Sequence, residues 1–397
     1  MANREGEMVF DAARAYQHMQ NLAFPRAVGT PGEQKAVQYI LETLRHSGVE
    51  VTVESFTFSL LPEALLRYVP FMAGVTILGL ALFFPAPSWI PLVLVSILLS
   101  GVLALSSWRR WLAWLYERGR ARESLNVIGD IPPTGQARRY LVLVAHYDSK
   151  SQRLPIAVRA CCMGSLGVTA MGMLVFPLIA HYWTTFPYAL TVRLCGSLAF
   201  LSGLALLCNR SQNYSPGAAD NAAGVGTLLT LAHLLQRQRL QHVHVRVVFT
   251  GAEEWGMAGA LRYIQRHQAT LAPETRFINI DGIGSEAAIG VVWGSGCFSL
   301  PAAGELVNGL LRLARTLSLP ALPMRTPPGI GMDHLPIHAY GWEAVTLCTR
   351  SLRMLLRIHT RRDQVQYVHP QGMERVGKLC LMYACEMDRQ SCLSLSW

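Results

Sequence analysis

Seven residues in this sequence have the types needed to hold and use a pair of metal ions: His146, Asp148, Asp220, Glu253, Glu254, Asp281 and His359. All are imidazoles or carboxylates, a ligand set suited to zinc or a similar first-row metal, and no cysteine is among them. Two neighbouring dications repel, so each needs about two nitrogen or oxygen side chains of its own and a carboxylate shared between them. One acid must also stay off the metal to act as base. The adjacent Glu253 and Glu254 fit that division, because neighbouring side chains diverge and one can bind while the other addresses water. Such a centre acidifies water and polarises a carbonyl, which is metal-assisted hydrolysis. Any one of these residues alone is an ordinary turn or surface residue. Their common position just after apolar runs is what singles them out.

Those runs read as strands. LVLVA at 141–145 ends at His146, VHVRVVF at 243–249 precedes Gly251-Ala252-Glu253-Glu254, RFINI at 276–280 ends at Asp281, and EAVTLC at 343–348 leads towards His359. VEVTVESFTF at 49–58 alternates as a half-buried strand. EQKAVQYILETLRH at 33–46 has apolar positions at Val37, Ile40, Leu41 and Leu44 and is stopped by Gly48, the pattern of an amphipathic helix. Further helices fit 221–237, 303–317 and 371–388. The order indicates an α/β protein with a central sheet flanked by helices, in which a site forms beyond the carboxyl ends of the strands. Gly224 and Gly226 would let the helix after Asp220 approach its neighbours closely.

The chain has 397 residues, a net charge of +10, only 15% charged residues and 51% hydrophobic ones. That excludes disorder and exceeds the apolar content that one or two cores of a soluble chain require. Residues 68–108 lack any charge, and the Pro85, Pro87, Ser88 cluster divides them. Residues 160–209 are nearly as apolar, and HYWTTFPY breaks them in two. Both segments are expected to form transmembrane helical hairpins, giving four spans. Ten basic residues lie in the intervening segment 109–159, which places the bulk of the chain on the cytoplasmic side with Arg193 dissenting. Trp89, Tyr182 and Trp183 would sit near the hairpin tips, as interfacial anchors or equally as the lining of a peptide route. The expected organisation is one α/β domain assembled from 1–67, 109–159 and 210–397, with 68–108 and 160–209 inserted. The lipid bilayer is then a partner and the net charge mostly serves anchoring. No basic patch with a matching nucleic-acid-binding fold is found, so nucleic acid is not expected. Nine cysteines without a C-x-x-C pair fit a reduced compartment, and the N-terminal stretch does not read as a secretory signal.

The segments VAHYDS at 144–149, GAADNAAGVG at 217–226, TGAEEWGMAGA at 250–260, INIDGIG at 278–284, MDHLPI at 332–337 and IHTRRD at 358–363 resemble, in order, the motifs of the di-zinc aminopeptidase and glutamate carboxypeptidase family, metallopeptidase family twenty-eight. The resemblance covers about residues 30–60 and 123–388 apart from the second hairpin, and implies a membrane-embedded, bacterial-type member. It implies a mixed α/β sheet of the zinc-exopeptidase, phosphorylase/hydrolase-like class. His146 and Asp281 would bind one zinc, Glu254 and His359 the other, and Asp220 would bridge them. Glu253 would be the general base, and Asp148 would accept a hydrogen bond from His146 and fix its tautomer. Asp333 and His334 match a segment near the substrate pocket. The implied activity is removal of N-terminal residues from peptides. Alternatives are a single-zinc glutaminyl-peptide cyclase, since HYDSK at 146–150 is shared with those enzymes, and an inactive membrane scaffold. The 74 residues between His146 and Asp220 exceed what the resemblance implies, and the second hairpin accounts for the excess.

Overall fold

The computed structural model describes residues 9–88, 118–295, 304–326 and 330–393. In chain order the first elements are α1 (Ala12–Leu22), α2 (Pro31–His46), β1 (Glu50–Ser59), α3 (Leu61–Phe83), β2 (Ala121–Ile131) and β3 (Arg139–His146). Next come α4 (Ile156–Tyr182), α5 (Tyr188–Leu207), α6 (Ala223–Arg237), β4 (Val243–Thr250), α7 (Ala258–His267) and β5 (Arg276–Ile280). The chain closes with β6 (Ile289–Ser295), α8 (Gly304–Thr316), β7 (Ala321–Thr326), α9 (His334–Ala339), β8 (Glu343–Thr349) and α10 (Pro370–Leu393). Two compact units result. One comprises Met1–Phe58, Arg122–Ser151 and Asn213–Trp397, the other Ser59–Ala121 and Gln152–Gln212.

The first unit holds an eight-stranded sheet in the order β1-β2-β4-β3-β5-β8-β6-β7. β3 runs parallel to both β4 and β5, and β8 runs parallel to β5, while β2 and β6 pair antiparallel with β4 and β8. The sheet is therefore mixed, with a parallel centre. Along β3, Leu141, Leu143 and Ala145 enter one buried cluster while Val142 and Val144 enter another on the opposite side. The period of two sends alternate side chains to opposite faces, and both faces are covered, which is why the segment reads as an unbroken apolar run. Register does the rest. His146 lies opposite Thr250, so the carboxyl ends of β3 and β4 share one edge, and β5 and β8 end on it too. The loops after all four strands emerge together.

Helix α6 packs where a side chain larger than hydrogen has no room. A β-carbon on Gly226 would lie 2.5 Å from the Ala15 carbonyl oxygen of α1, and one on Gly224 would lie 2.6 Å from the Ile280 carbonyl oxygen. Both glycines thus permit the close approach expected of the helix after Asp220.

The second unit is built from α3, α4 and α5, which share a core including Ile77, Leu80, Leu166, Met173 and Val192. Gly74 lets α3 approach α5, because a β-carbon there would lie 2.5 Å from the Ala199 carbonyl oxygen. HYWTTFPY does break the second apolar stretch, between α4 and α5. Among the described residues three helices are long and apolar enough to cross a membrane, by length and composition only. The expected second helix of the first hairpin falls mostly on 89–117, outside the described residues, as does Trp89. α3 also starts earlier than expected, taking in Glu63 and Arg67.

Candidate metal centre

His146 is the last residue of β3 and is fully buried. Its Nδ1 lies 3.2 Å from the backbone oxygen of Asp148, the partner an Nδ1–H would use, which leaves Nε2 with a lone pair facing the cluster. That Nε2 is 3.2 Å from Asp220 Oδ1 and 3.4 Å from Asp281 Oδ1. His359, at φ +61°, brings its Nε2 to 3.1 Å from Asp220 Oδ2 and 3.0 Å from Glu254 Oε2. The two oxygens of Asp220 therefore face two different imidazoles. His146, Asp220 and Asp281 form one group whose ligand atoms all lie within 4.8 Å of one another, and Asp220, Glu254 and His359 form a second.

The turn carrying Glu253 and Glu254 follows β4 at once. It is a short 3-10 helix, Glu253–Trp255, entered through Ala252 at φ +55° and left through Gly256 at φ +96°. A β-carbon on Gly251 would lie 2.6 Å from the Leu125 carbonyl oxygen, and one on Gly259 would lie 2.3 Å from the Gly251 carbonyl oxygen. Only glycine fits such an approach. Asp148 holds the turn: Oδ1 accepts from the Glu253 N–H at 3.1 Å and Oδ2 from the Glu254 N–H at 3.3 Å. Its carboxylate oxygen lies 3.5 Å from His146 Nδ1, so the imidazole is oriented chiefly by the backbone of Asp148 and the glutamates by its side chain. Lys150 Nζ donates to the Glu254 carbonyl oxygen at 2.7 Å.

Electrostatics follow from crowding buried carboxylates around two imidazoles. Burial opposes charge on His146, yet Glu253 and Asp281 outweigh it and its pKa is raised well above the ordinary value. His359 is likewise held up at about 9, against burial, by Glu254 and Asp220. Asp220, despite burial, is pulled below the usual carboxylate range by the hydrogen bonds and charges of both histidines. Burial raises Asp281 and, more strongly, Glu253, which also feels Asp281, Asp333 and Glu254. A field that retains protons on two imidazoles would retain cations there. The buried Oε1 of Glu254 has no hydrogen-bond partner, and His146 Nε2 faces the Asp220 and Asp281 carboxylates, as ligand atoms directed at a metal would. The donor set, nitrogen plus carboxylate oxygen, fits zinc.

Asp333 is fully buried, accepts from Thr250 Oγ1 at 2.5 Å, and is pushed up to about 7 by burial and neighbouring acids. His334 Nδ1 meets Thr346 Oγ1 at 2.7 Å, and that hydroxyl also accepts from Asn279 Nδ2 at 3.0 Å, so the imidazole packs against β5 and β8. Sequence reasoning missed two residues. Asp363 accepts from the Ala219 and Asp220 N–H groups at 2.8 and 3.2 Å. Its signal was present in IHTRRD, four residues after His359. Arg26, fully buried, donates to the Tyr147, Pro216 and Gly217 carbonyls. Nothing in its local sequence, a basic residue after proline, marks it.

The sequence matches a family described as Peptidase family M28 over residues 126–384. No curated protein matches it. Among solved structures it is similar to Porphyromonas gingivalis glutaminyl cyclase (17% identity, 96% of this chain and 99% of that one, TM-score 0.56). It is also similar to Legionella pneumophila LapA aminopeptidase (13%, 96% and 72%, TM-score 0.54) and to a leucine aminopeptidase precursor from Bacteroides thetaiotaomicron (16%, 94% and 96%, TM-score 0.54). These likenesses show the fold. They also correct the membrane reading. The matches with crystallised cyclases and aminopeptidases span 94–96% of this chain, and the fold they support is a mixed α/β sheet-and-helix one with no evidence of membrane-spanning hairpins. The membrane-embedded member, the inserted transmembrane hairpins, the lipid bilayer as partner and the multi-pass, cytoplasm-facing localisation are therefore withdrawn. The physical reason is that length and apolarity state what a helix is able to cross, not where it resides.

Proposed function

Because the chain belongs to peptidase family M28 it is a zinc-dependent metallopeptidase with two candidate metal-binding clusters, and we propose that it is an aminopeptidase that hydrolyses the N-terminal peptide bond. The observation that carries the two-metal reading is Asp220, whose Oδ1 faces His146 and whose Oδ2 faces His359. His146 and Asp281 would hold one zinc, Glu254 and His359 the other, and Asp220 would be shared. Bound zinc supplies Lewis acidity to the scissile carbonyl and acidity to water. Glu253 is the general base: it takes the proton of the attacking water as the new C–O bond forms and returns it to the amine as the C–N bond breaks. Its carboxylate belongs to neither three-residue group, so it is available for proton transfer. Asp148 fixes the spacing of Glu253 and Glu254 through their N–H groups. Asp333 and His334 border the substrate pocket in this reading.

Likeness to glutaminyl cyclases makes the product the decisive measurement. The purified full-length protein is analysed for zinc and offered free-amine peptides, N-blocked peptides and peptides beginning with glutamine. Two zinc ions per chain and release of free N-terminal amino acids from unblocked peptides alone are expected. Ammonia release from N-terminal glutamine with one zinc overturns the proposal.

A further inference from the structure

The loop that delivers Asp220 is gripped from both sides by Arg26 and Asp363, neither of which is a member of the two metal clusters. On one side is Arg26, with no exposed surface and, among the described residues, no carboxylate in hydrogen-bonding contact. Its guanidinium donates to the Tyr147 carbonyl at 2.5 Å, to Pro216 at 2.6 Å and to Gly217 at 2.8 Å, with further bonds to the Leu22 and Phe24 carbonyls. Tyr147 sits between His146 and Asp148, and Gly217 three residues before Asp220. On the other side Asp363, 2% exposed, accepts the N–H groups of Ala219 and Asp220 itself. A buried arginine spent entirely on carbonyl oxygens is costly unless it determines something that matters. Here it ties the strand end bearing His146 to the loop bearing Asp220, while Asp363 ties that loop to the segment bearing His359.

We infer that Arg26 and Asp363 are positioning residues that preset the shared carboxylate of Asp220 for two zinc ions, the guanidinium fixing the carbonyls that precede it and the carboxylate fixing its own N–H. This rests on the two-zinc reading above. Neither residue contacts the reacting atoms, so each acts by geometry. Gly217 supports the same conclusion: at φ +60° a β-carbon there would lie 2.6 Å from the Asp220 carbonyl oxygen and 3.0 Å from Arg26 Nη1.

The test uses the full chain as wild type, Arg26→Lys, Asp363→Asn and a control, Asp130→Asn. The control removes the partner of Arg246 and His244 on β2 and β4, away from the loop. Lysine keeps the charge but loses the planar fork, and asparagine keeps only one acceptor oxygen. Zinc affinity is measured by chelator competition and compared with Tm and with kcat and KM. The expected result is zinc binding weakened about 10- to 100-fold in Arg26→Lys and Asp363→Asn, with kcat reduced and KM little changed, and unaltered zinc affinity in Asp130→Asn whatever its Tm. Wild-type zinc affinity in folded Asp363→Asn overturns the inference, and that variant decides alone if Arg26→Lys does not fold. An equal loss of zinc affinity in the control also overturns it, since the effect would then follow stability. If the wild-type chain itself binds no zinc, both this inference and the two-zinc reading fall, whereas two zinc ions in the wild type with indifferent variants sinks only the inference.

Discussion

Replacing Glu253 by Gln separates base from ligand more cleanly than any other change to this site. The side chain keeps its size, and the turn keeps its anchor because Asp148 holds the backbone N–H of residue 253, not its carboxylate. Glu253 is only 8% exposed and lies outside both groups of metal-binding residues. Zinc content should therefore be unchanged. Removing the charge also removes the cost of burying it and then its repulsion from Asp281, Asp333 and Glu254, against a loss of attraction to His146. Metal-free Tm should stay level or rise. What disappears is proton transfer, which contributes a factor of about 10² to 10⁴, or about 2.7 to 5.4 kcal/mol of barrier at 1.36 kcal/mol per decade. The assay is kcat on an unblocked dipeptide at saturating zinc, beside zinc content and a thermal melt. A kcat within tenfold of wild type with zinc retained would refute the base assignment, and loss of zinc would make Glu253 a ligand instead.

Removing zinc should lower Tm, because a ligand bound only by the folded state stabilises it by about 2.7 kcal/mol at a hundredfold excess over Kd. Differential scanning with and without chelator reads this, and an unchanged Tm contradicts a built metal site. Gly259→Ala should cost about 1–3 kcal/mol in chemical denaturation and depress activity, since its β-carbon would lie 2.3 Å from the Gly251 carbonyl oxygen at the root of the Glu253 turn. A stable, fully active variant would show that this approach is not constrained. His334 is depressed to about 3, first by burial and then by His338, from an ordinary 6.5. The unfolded chain therefore binds more protons across that interval, and stability is lost as pH falls through it. Relative to His334→Gln, the wild type should lose about 2 kcal/mol between pH 6.5 and pH 5 in urea titrations, and parallel losses in both proteins would refute a neutral buried imidazole.

How legible the site was depended on whether its geometry followed strand register. His146, Glu254 and Asp281 were readable because β3, β4 and β5 are short apolar runs that end at the same edge, and parallel register then brings the following residues together. The meeting of Asp220 with Asp281 and of Glu254 with His359 followed from that same edge. β2, β6 and β7 escaped notice. β2 carries Arg122, Glu123, Asn126 and Asp130 within an antiparallel pairing, and β7 contains Pro323, so neither presents an apolar run. The short helices α7 and α9 were missed because no side-chain cap opens them: Met257 at φ +62° precedes α7, and Asp333, at the N-cap of α9, turns its carboxylate to Thr250 instead. The bilayer was inferred from apolar length, which three of the described helices do possess. That inference failed because composition reports the capacity of a helix and the fold of the whole chain reports its context. Arg26 was beyond pattern reading for another reason: its partners are backbone atoms, and backbone atoms leave no trace in residue type.

Asp148 shows how a single side chain can link the two halves of such a centre. Its carbonyl oxygen faces His146 Nδ1, and its two carboxylate oxygens take the N–H groups of Glu253 and Glu254. One residue at the end of β3 thus orients an imidazole in its own loop and the carboxylates in the loop after β4. The parallel pairing of β3 with β4, with His146 opposite Thr250, makes this reach possible. A shift of that register by one residue would exchange the faces of every side chain on β3 and would carry Asp148 away from both N–H groups. The apolar alternation of Leu141, Val142, Leu143 and Val144, buried on opposite faces, resists that shift because it would have to reverse both cores at once. The precision of the metal centre therefore derives from the packing of the sheet beneath it, and a core substitution on β3 that loosened the register would be felt first in the spacing of Glu253 and Glu254.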